Sequence, residues 1–426
     1  MLYLDANATE PLRPAACAAV LAALGVVGNP SSVHAAGRAA RRLIEDARET
    51  LAARFGARPA DVVFTYGGTE ADALGVHSLR PGRRVIVGAT EHDAVRAAAG
   101  GDAAVLPVDR EGVVMLDALA VLLAEGGPAL VCLMLANNET GTLQPVAEVA
   151  SLCRRYGALL HVDAVQAAGR IPVDFAALGA HSMALSSHKM GGPPGAGALL
   201  LAPEVSAIAP LIAGGGQERG RRGGTPALPA IAGFAAAARE EGGADAPARR
   251  AGTDAPLGAW RATQAGTPAA GTTREAGDIS AAADTGGWEA DDAAPMAAGE
   301  AVCSSPLALL RDAIELAAVA QGALVCGAGA ARLANTTSLA LPGIRADAQV
   351  IALDLQGVAV SAGAACSSGK VAASHVLAAM GLGALAGQAI RVSLPWNAPP
   401  DAAERFAAAY ARMAERLRGA LSPHAA

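Results

Sequence analysis

Lys189, in the stretch SSHKMGG, is the first residue of this 426-residue chain whose type invites a chemical role. Lys189 and Lys370 are the only lysines in the chain, so nearly all of its positive charge comes from arginine. Arginine stays protonated, whereas a lysine amine can lose its proton and form a Schiff base with a carbonyl compound. An ordinary loop lysine is the alternative, and Lys189 alone does not decide between the two.

Two further candidates follow strand-like stretches. Asp163 ends ALLHVDA and precedes Gln166, and His92 comes directly after RRVIVGA. A carboxylate at a buried strand end is costly unless a cation is close to it. Considered alone, Asp163 is equally typical of a helix N-cap, and His92 is typical of a hydrogen-bonded structural histidine.

The stretch GGTEAD places Gly68 and Thr69 at a predicted helix start. Free backbone amides and a hydroxyl group at such a place can bind an anion, although a plain glycine turn is the alternative. Together, a phosphate site, an aspartate, a lysine and a histidine suit pyridoxal phosphate. The lysine would form the Schiff base, and the aspartate would keep the ring nitrogen protonated.

Cys366 lies in SAGAACSSGK, where its neighbours are too small to pack a core. Cys132, by contrast, lies among aliphatic residues in ALVCLMLA, as buried cysteines usually do. We therefore expect Cys366 on a mobile, exposed loop, where a thiol is a candidate nucleophile. A small residue tolerated in a turn is the alternative.

The elements that position these residues alternate along the chain. The pattern predicts a helix from Ser32 to Phe55, a buried helix between Ala15 and Gly28, and a last helix from Asp401 to Leu421. Strands are predicted at DVVFT, RRVIVGA, ALVCLMLA, ALLHVDA, SMALSS, GALLLA, TTSLAL, VIALDL and AIRVSL. Such alternation indicates an α/β fold with a mostly parallel sheet, whose ligands bind at the carboxyl ends of the strands.

Composition limits the class of protein. A net charge of −6, with 52% apolar and 17% charged residues, favours a globular protein that binds no nucleic acid. No apolar run is long enough to span a membrane. The six cysteines include no C-x-x-C pair, so we expect neither a metal site nor a disulfide framework, and we expect a cytoplasmic location.

The domain organisation follows from a change in composition. Residues 241–304 are rich in Gly, Ala, Pro and Thr and show no lasting periodicity, which predicts a disordered low-complexity insertion. We expect a large cofactor-binding domain at 14–240 and a small α/β domain made of 1–13 and 305–426. The small domain would carry the Cys366 loop.

Successive motifs of the chain resemble those of one family. They are YLDANAT, GNPSSVHAAGR, FTYGGTEAD, TEHDAV, LANNETG, HVDAVQAAG, SSHKMGGPPGAG, GGGQERGRRGGTP, SAGAACSS and IRVSL. In this order they are similar to the motifs of the cysteine desulfurases, which are pyridoxal-phosphate enzymes of the class V aminotransferase type. The small-residue loop resembles the branch that serves iron–sulfur cluster assembly and nitrogen fixation. The resemblance implies a fold-type-I transferase with a seven-stranded large-domain sheet, and it does not include the insertion.

The resemblance also implies roles for particular residues. Lys189, Cys366 and His92 would be catalytic, and Asn138 and Arg391 would bind the substrate carboxylate. Thr225 would reach the phosphate of a neighbouring subunit, which implies a homodimer. The residues that would bind the cofactor are Gly68, Thr69, His92, Asn138, Asp163, Gln166, Ser186, His188, Lys189 and Thr225.

The function that the resemblance implies is conversion of L-cysteine to L-alanine. The sulfur would pass as a persulfide on Cys366 to an acceptor protein, for iron–sulfur cluster assembly or a tRNA-thiolation relay. A selenocysteine lyase, or another β-elimination enzyme that uses pyridoxal phosphate, is the enzymatic alternative. A non-catalytic regulatory protein on the same fold is the alternative from a different class.

Overall fold

The computed structural model describes residues 1–240, 305–363 and 373–421. Its helices are α1 (Pro14–Leu24), α2 (Ala35–Phe55), α3 (Gly68–Leu79), α4 (Asp93–Ala99), α5 (Leu116–Ala124), α6 (Val146–Tyr156), α7 (Phe175–Leu178), α8 (Leu228–Arg239), α9 (Pro306–Ala320), α10 (Ala346–Asp354), α11 (His375–Ala379) and α12 (Ala402–Leu421). Its strands are β1 (Leu2–Tyr3), β2 (Val62–Thr65), β3 (Arg84–Gly88), β4 (Ala104–Leu106), β5 (Ala129–Met134), β6 (Leu159–Asp163), β7 (Ser182–Ser186), β8 (Gly197–Leu201), β9 (Leu324–Cys326), β10 (Thr336–Ala340), β11 (Val358–Ala359), β12 (Ser361–Ala362) and β13 (Ala389–Ser393).

The largest sheet has seven strands among the described residues, in the order β2-β8-β7-β6-β5-β3-β4. β8 runs antiparallel to β2 and β7, and the other neighbouring pairs are parallel. Residues of β2, β5, β7 and β8 are buried throughout, as expected for a sheet covered on both faces. The predicted α/β fold with a mostly parallel seven-stranded sheet is confirmed.

A second sheet lies in the C-terminal part of the described chain. Its four strands are antiparallel, in the order β12-β13-β10-β9. Phe406 and Tyr410 of α12 are fully buried in the same apolar cluster as Leu339 and Ile390 of this sheet. The N-terminal β1 pairs in parallel with β11, so the start of the chain joins C-terminal elements.

The described residues on both sides of the predicted insertion form one compact unit. The predicted boundaries at residues 14 and 240 stay a prediction, and residues 241–304 lie outside the described residues. Among the described residues, no helix combines the length and the apolar character needed to cross a membrane.

The predicted strand VIALDL is wrong, because residues 346–354 form helix α10. Its buried residues include Gln349, Ala352 and Leu353, whereas Ile351 is 61% exposed. Residues 351 and 353 would share a face in a strand, but they point in different directions on a helix. A short apolar run does not separate the two structures, and only the burial pattern does.

The N-terminal helices differ from prediction in burial and in start. Of α1, only Ala16 and Ala23 are buried, and Leu21 and Leu24 are each 65% exposed, so the expected buried helix is wrong. Helix α2 begins at Ala35 rather than at Ser32, because the His34 side chain accepts a hydrogen bond from the backbone of Gly37 and forms the N-cap.

Candidate active site

A cavity of about 330 Å³ lies at the carboxyl ends of the parallel strands. Strands β5, β6 and β7 end there at Met134, Asp163 and Ser186. Since parallel strands end at the same edge of a sheet, side chains that are distant in sequence meet at this edge. The predicted residues that line the cavity are Gly68, Thr69, His92, Asn138, Asp163, Gln166, Ser186, His188, Lys189 and Arg391.

The Lys189 amine points to the N-terminal segment of the chain. Its Nζ atom donates hydrogen bonds to the backbone oxygens of Asn7, at 2.5 Å, and Ala8, at 2.9 Å. The Gln166 amide donates to the same Asn7 oxygen at 3.1 Å. Two cavity residues that follow different strands are therefore held by one peptide group of the N-terminal segment.

Asp163 is a buried carboxylate in the cavity wall. Its Oδ1 atom accepts a hydrogen bond from the backbone of Val165 at 2.9 Å. Burial raises the pKa of Asp163, while that hydrogen bond and the positive charges of His92 and Lys189 lower it. The cations that a buried carboxylate needs are therefore the two residues with which Asp163 was predicted to act.

His92 has a structural role and also lines the cavity. It forms the N-cap of α4, where its Nδ1 atom accepts a hydrogen bond from the backbone of Ala94 at 3.1 Å. In the neutral ring, the proton therefore lies on Nε2. Both interpretations of this histidine remain compatible with its place, and its stacking on a cofactor stays a prediction.

One end of the cavity is suited to an anion. The twelve-residue helix α3 begins at Gly68, and its N-cap Gly67 has no side chain that could bond the free amides of the first turn. A β-carbon on Gly68 would lie 2.8 Å from Val165 Cγ2, so glycine permits this close approach. The Ser186 hydroxyl beside it is buried and has no hydrogen-bond partner among the described residues.

His188 completes this end of the cavity. Its Nδ1 atom lies 2.9 Å from the Thr9 hydroxyl. Burial, helped by Lys189 and Arg170, lowers the pKa of His188 to about 4. The ring is therefore neutral near pH 7, and it can donate or accept a hydrogen bond without bringing a charge.

Arg391 enters the cavity from β13 of the second sheet. It is 2% exposed, and its guanidinium donates to Asp5 Oδ1 at 2.7 Å and to the Asn138 backbone oxygen at 3.1 Å. Its Nε atom is buried without a partner among the described residues. Arg391 and Asn138, the pair predicted to bind a carboxylate, are thus in direct contact.

Two predicted residues do not lie in the cavity wall. Thr225 is exposed and lines a separate hollow of about 60 Å³ with Tyr66 and Arg222. Arg222 binds Glu70 of α3 at 2.7 Å, which holds this hollow close to the start of α3. Cys366, with its predicted mobile loop, lies in residues 364–372, outside the described residues.

Comparison with known proteins identifies the family. The family profile "Aminotransferase class-V" matches residues 2–250. The chain belongs to the class-V aminotransferase family. Among relatives, an IscS-like cysteine desulfurase of Mycobacterium tuberculosis is 37% identical over 414 residues, which cover 92% of this chain and 91% of the relative. A cysteine desulfurase of Cereibacter sphaeroides is 36% identical over 441 residues, which cover 100% of this chain and 98% of the relative.

The fold likeness agrees with the sequence likeness. The X-ray structure of a NifS-like protein from Rickettsia africae superposes with a TM-score of 0.76 at 29% identity, covering 97% of this chain and 99% of that one. The relatives place this class-V aminotransferase among the cysteine desulfurases. These enzymes depend on pyridoxal phosphate, which is therefore the cofactor.

The cavity fits that cofactor of the class-V aminotransferases. The unpartnered Ser186 hydroxyl, the close approach of Gly68 and the free amides of α3 suit a phosphate group. Lys189 and Asp163 lie in the same cavity, where a Schiff base and a pyridinium partner are needed.

Several residues of this class-V site had no role predicted from the sequence. Asn7, in the motif YLDANAT, binds Lys189 and Gln166 through its backbone oxygen and Asn138 through its side chain. Asp72 lines the cavity and lies 3.2 Å from the fully buried His161, whose pKa burial lowers to about 4. The sequence feature that could have identified Asp72 is its position one helical turn after Gly68, since residues four apart share a helix face.

Proposed function

We propose that the chain converts L-cysteine to L-alanine and carries the released sulfur as a persulfide on Cys366. The observation that carries this proposal is the convergence on one cavity of Lys189, which follows β7, Asp163, which ends β6, and Arg391, which lies in β13 of the other sheet. An amine, a carboxylate and a guanidinium at this place suit an amino-acid substrate on pyridoxal phosphate.

Arg391 is the proposed anchor of the substrate carboxylate, with Asn138 beside it. Its Nε atom has no partner among the described residues, so the guanidinium retains an unused hydrogen-bond donor. A guanidinium binds a carboxylate with paired hydrogen bonds, which orients the amino acid as well as holding it. The ion pair with Asp5 at 2.7 Å restrains the Arg391 guanidinium in the cavity wall.

Lys189 and Asp163 are the proposed proton-handling groups. Bound pyridoxal phosphate withdraws electrons from bonds at the substrate α-carbon. Asp163 would keep the ring nitrogen of the cofactor protonated, and the ionised form of the Asp163 carboxyl group does this best. Lys189 would hold the cofactor and then move protons between the α- and β-carbons of the substrate. Gln166 and His92 would contact the ring, and Gly68, Thr69, Ser186 and His188 the phosphate.

The Cys366 thiolate is the proposed nucleophile. It attacks the substrate Sγ atom, so that a sulfur–sulfur bond forms and the Cβ–Sγ bond breaks. The electron pair of that bond remains with the carbon, which takes up a proton and leaves as L-alanine. A thiolate of an acceptor protein then attacks the outer sulfur of the persulfide and restores the Cys366 thiol. No external oxidant is needed, because the sulfur is oxidised while the β-carbon is reduced.

We propose iron–sulfur cluster assembly as the process supplied and the cytoplasm as the compartment. Cys17, Cys132, Cys153 and Cys326 are free thiols, which supports a reducing compartment. We also propose a homodimer in which Thr225 reaches the phosphate site of the partner. The exposure of Thr225, outside the cavity of its own chain, supports this arrangement.

The test compares Cys366→Ser with Cys17→Ser, which removes an exposed thiol of α1. After mixing with L-cysteine, the wild-type holoenzyme and Cys17→Ser should form L-alanine and gain one sulfur atom on Cys366 by mass spectrometry. Cys366→Ser should still bind cysteine, seen as a change in cofactor absorbance, but form alanine at least about 10²-fold more slowly. A Cys366→Ser enzyme that forms persulfide at the normal rate would contradict the proposal.

A further inference from the structure

Glu139 is a buried carboxylate with no role in the proposed chemistry. It follows Asn138 in the loop between β5 and α6 and is 2% exposed. Its Oε2 atom accepts a hydrogen bond from the Ser374 hydroxyl at 2.6 Å. A β-carbon on Gly363 would lie 2.3 Å from the same oxygen, so the carboxylate packs directly against the Gly363 backbone.

Gly363 and Ser374 lie on the two sides of residues 364–372, the segment that contains Cys366. The carboxylate of Glu139 therefore contacts the chain just before and just after the sulfur-carrying segment. A buried carboxylate is costly to keep unless its hydrogen bonds are good. If the side chain at position 139 served only to fill space, an apolar residue would do so at lower cost. The contacts of the Glu139 carboxylate with Gly363 and Ser374 therefore require an explanation.

One side of the segment is also joined to the cavity wall, and the other side is joined to Glu91, the residue before His92 of that wall. On one side, Ser361 of β12 pairs with Arg391 of β13. On the other side, Ser374 caps α11 by accepting a hydrogen bond from the Leu377 backbone at 3.1 Å, and His375 lies 3.0 Å from the Glu91 backbone oxygen. Glu139 is itself next to the cavity wall, because the backbone oxygen of the preceding Asn138 accepts a hydrogen bond from Arg391.

We propose that Glu139 is a positioning residue for sulfur transfer, because it holds Gly363 and Ser374 at a set separation beside the substrate cavity. This inference rests on the proposed function of Cys366. The physical reason is that the two ends of a chain segment limit where the residues between them can reach, so release of one end lowers the effective concentration of the Cys366 thiol at the substrate sulfur. Glu139 would thus act on the attack of Cys366 and not on cysteine binding.

The experiment uses holoenzymes carrying Glu139→Ala, Glu139→Gln, Ser374→Ala and Ser374→Thr. Rapid mixing with L-cysteine gives two readouts, which are the change in cofactor absorbance on binding and the rate at which Cys366 gains sulfur. Glu139→Ala and Ser374→Ala should slow sulfur gain about 10- to 10²-fold with the binding step unchanged. Glu139→Gln keeps an oxygen acceptor and should lose less.

Ser374→Thr is the matched control, because threonine keeps both the hydroxyl donor and the N-cap. It should react as the wild type does, which would show that the loss in Ser374→Ala comes from the missing hydroxyl and not from replacing the serine. As a second control, adding Glu139→Ala to Cys366→Ser should not slow the residual release of alanine further, since no thiol remains to be positioned.

Three outcomes would overturn the proposal. The first is an unchanged rate of sulfur gain in Glu139→Ala and Ser374→Ala. The second is an equal loss in cysteine binding, which would assign Glu139 to the support of Asn138. The third is a Ser374→Thr enzyme as slow as Ser374→Ala. If Glu139→Ala does not fold, Glu139→Leu replaces it, because leucine fills the space without a hydrogen-bond acceptor, and a loss in Ser374→Ala alone would assign the effect to the N-cap of α11 and overturn the proposal. Absence of persulfide in the wild type would instead refute the proposed function.

Discussion

Three buried carboxyl groups influence one another electrostatically, and two of them, Asp72 and Asp163, line the cavity. Burial raises the pKa of Asp72, Glu91 and Asp163, and Asp163 raises the pKa of the other two further. Only Asp163 among them has His92 and Lys189 as cations that lower its pKa. We infer that the negative charge of the group resides on Asp163, the residue proposed to face the cofactor ring.

The thiols of the chain differ in reactivity for a related reason. Burial raises the pKa of Cys153 to about 12 and of Cys326 to about 11, whereas Cys17 is exposed. Only the thiolate is nucleophilic, so a raised pKa lowers the reactive fraction tenfold for each unit. We expect iodoacetamide at mildly alkaline pH to label Cys153 and Cys326 at least about 10²-fold more slowly than Cys17.

Peptide mapping by mass spectrometry would measure these labelling rates, with urea-unfolded protein as the control in which all cysteines react. The labelling of Cys153 and Cys326 should increase as pH rises, because their thiolate fractions grow until the pH reaches the raised pKa values. Equal rates for Cys17 and Cys326 in the native protein would show that the interior is more open than the structure indicates.

Much of the site was predictable residue by residue, since motif residues at strand ends are brought together by parallel topology. Asn7 and Glu139 were not, for a physical reason. Their importance comes from contacts with residues far away in the sequence, such as the 2.6 Å bond between Glu139 and Ser374. No local spacing records such a contact.

At the scale of elements, the end of β7 contributes two consecutive serines with different surroundings. Ser186 and Ser187 both have buried hydroxyl groups without partners among the described residues, but only Ser186 lines the cavity. β7 pairs with β6 so that Ala184 lies opposite Asp163, which places Ser186 beyond the carboxylate at the same edge.

These two serines provide a matched pair of substitutions. Ser186→Ala should weaken pyridoxal phosphate binding about 10-fold or more, because a hydrogen bond to a charged group contributes roughly 1.5–3 kcal/mol. Ser187→Ala should leave the affinity unchanged. Titration of the apoenzyme with the cofactor, followed by absorbance, gives both values. Equal losses in the two variants would remove Ser186 from the phosphate site.

The incorrect assignment of VIALDL shows what patterns within one element cannot decide. Its run of apolar residues suited a strand, and the helix is recognised only because Leu353 is fully buried while Ile351 faces solvent. Long amphipathic segments such as α2 and α12 were predicted as helices to within three residues at each end, because their periodicity extends over many turns.

Stability measurements can test this helix directly. Leu353→Ala should cost about 2–5 kcal/mol of unfolding free energy, as is usual for a buried leucine. Ile351→Ala should change it by no more than about 0.5 kcal/mol, because the side chain is exposed. Urea unfolding of the holoenzyme measures both. Similar losses would indicate that the two residues share a face, as in the strand.

At the scale of the whole molecule, the N-terminus completes a site built mainly by later residues. β1 pairs with β11, and the backbone oxygens of Asn7 and Ala8 accept hydrogen bonds from Lys189. The first residues therefore contact both a C-terminal strand and Lys189 of the predicted large domain, and the assignment of residues 1–13 to the small domain stays a prediction. The boundaries themselves stay a prediction, as does the disorder of residues 241–304.

The proposed dimer follows from the place of Thr225. Its hollow is separate from the cavity, yet Arg222 in the wall of that hollow binds Glu70, the neighbour of Thr69. Tyr66 in the same wall is 69% exposed, as a side chain that packs against another subunit would be. A second copy of the chain could therefore pack against this surface while Thr225 reaches the phosphate site of that second copy.

Mixed dimers can test whether Thr225 acts across the subunits. A Lys189→Ala enzyme should be inactive, and a Thr225→Ala enzyme should bind cofactor weakly. If Thr225 acts in the partner, unfolding and refolding the two variants together creates dimers in which one site has an intact Lys189 and an intact Thr225. Desulfuration at limiting cofactor should then rise well above that of either variant alone. If Thr225 acts within its own chain, every site in the mixture remains defective and no activity returns, which would refute a shared site.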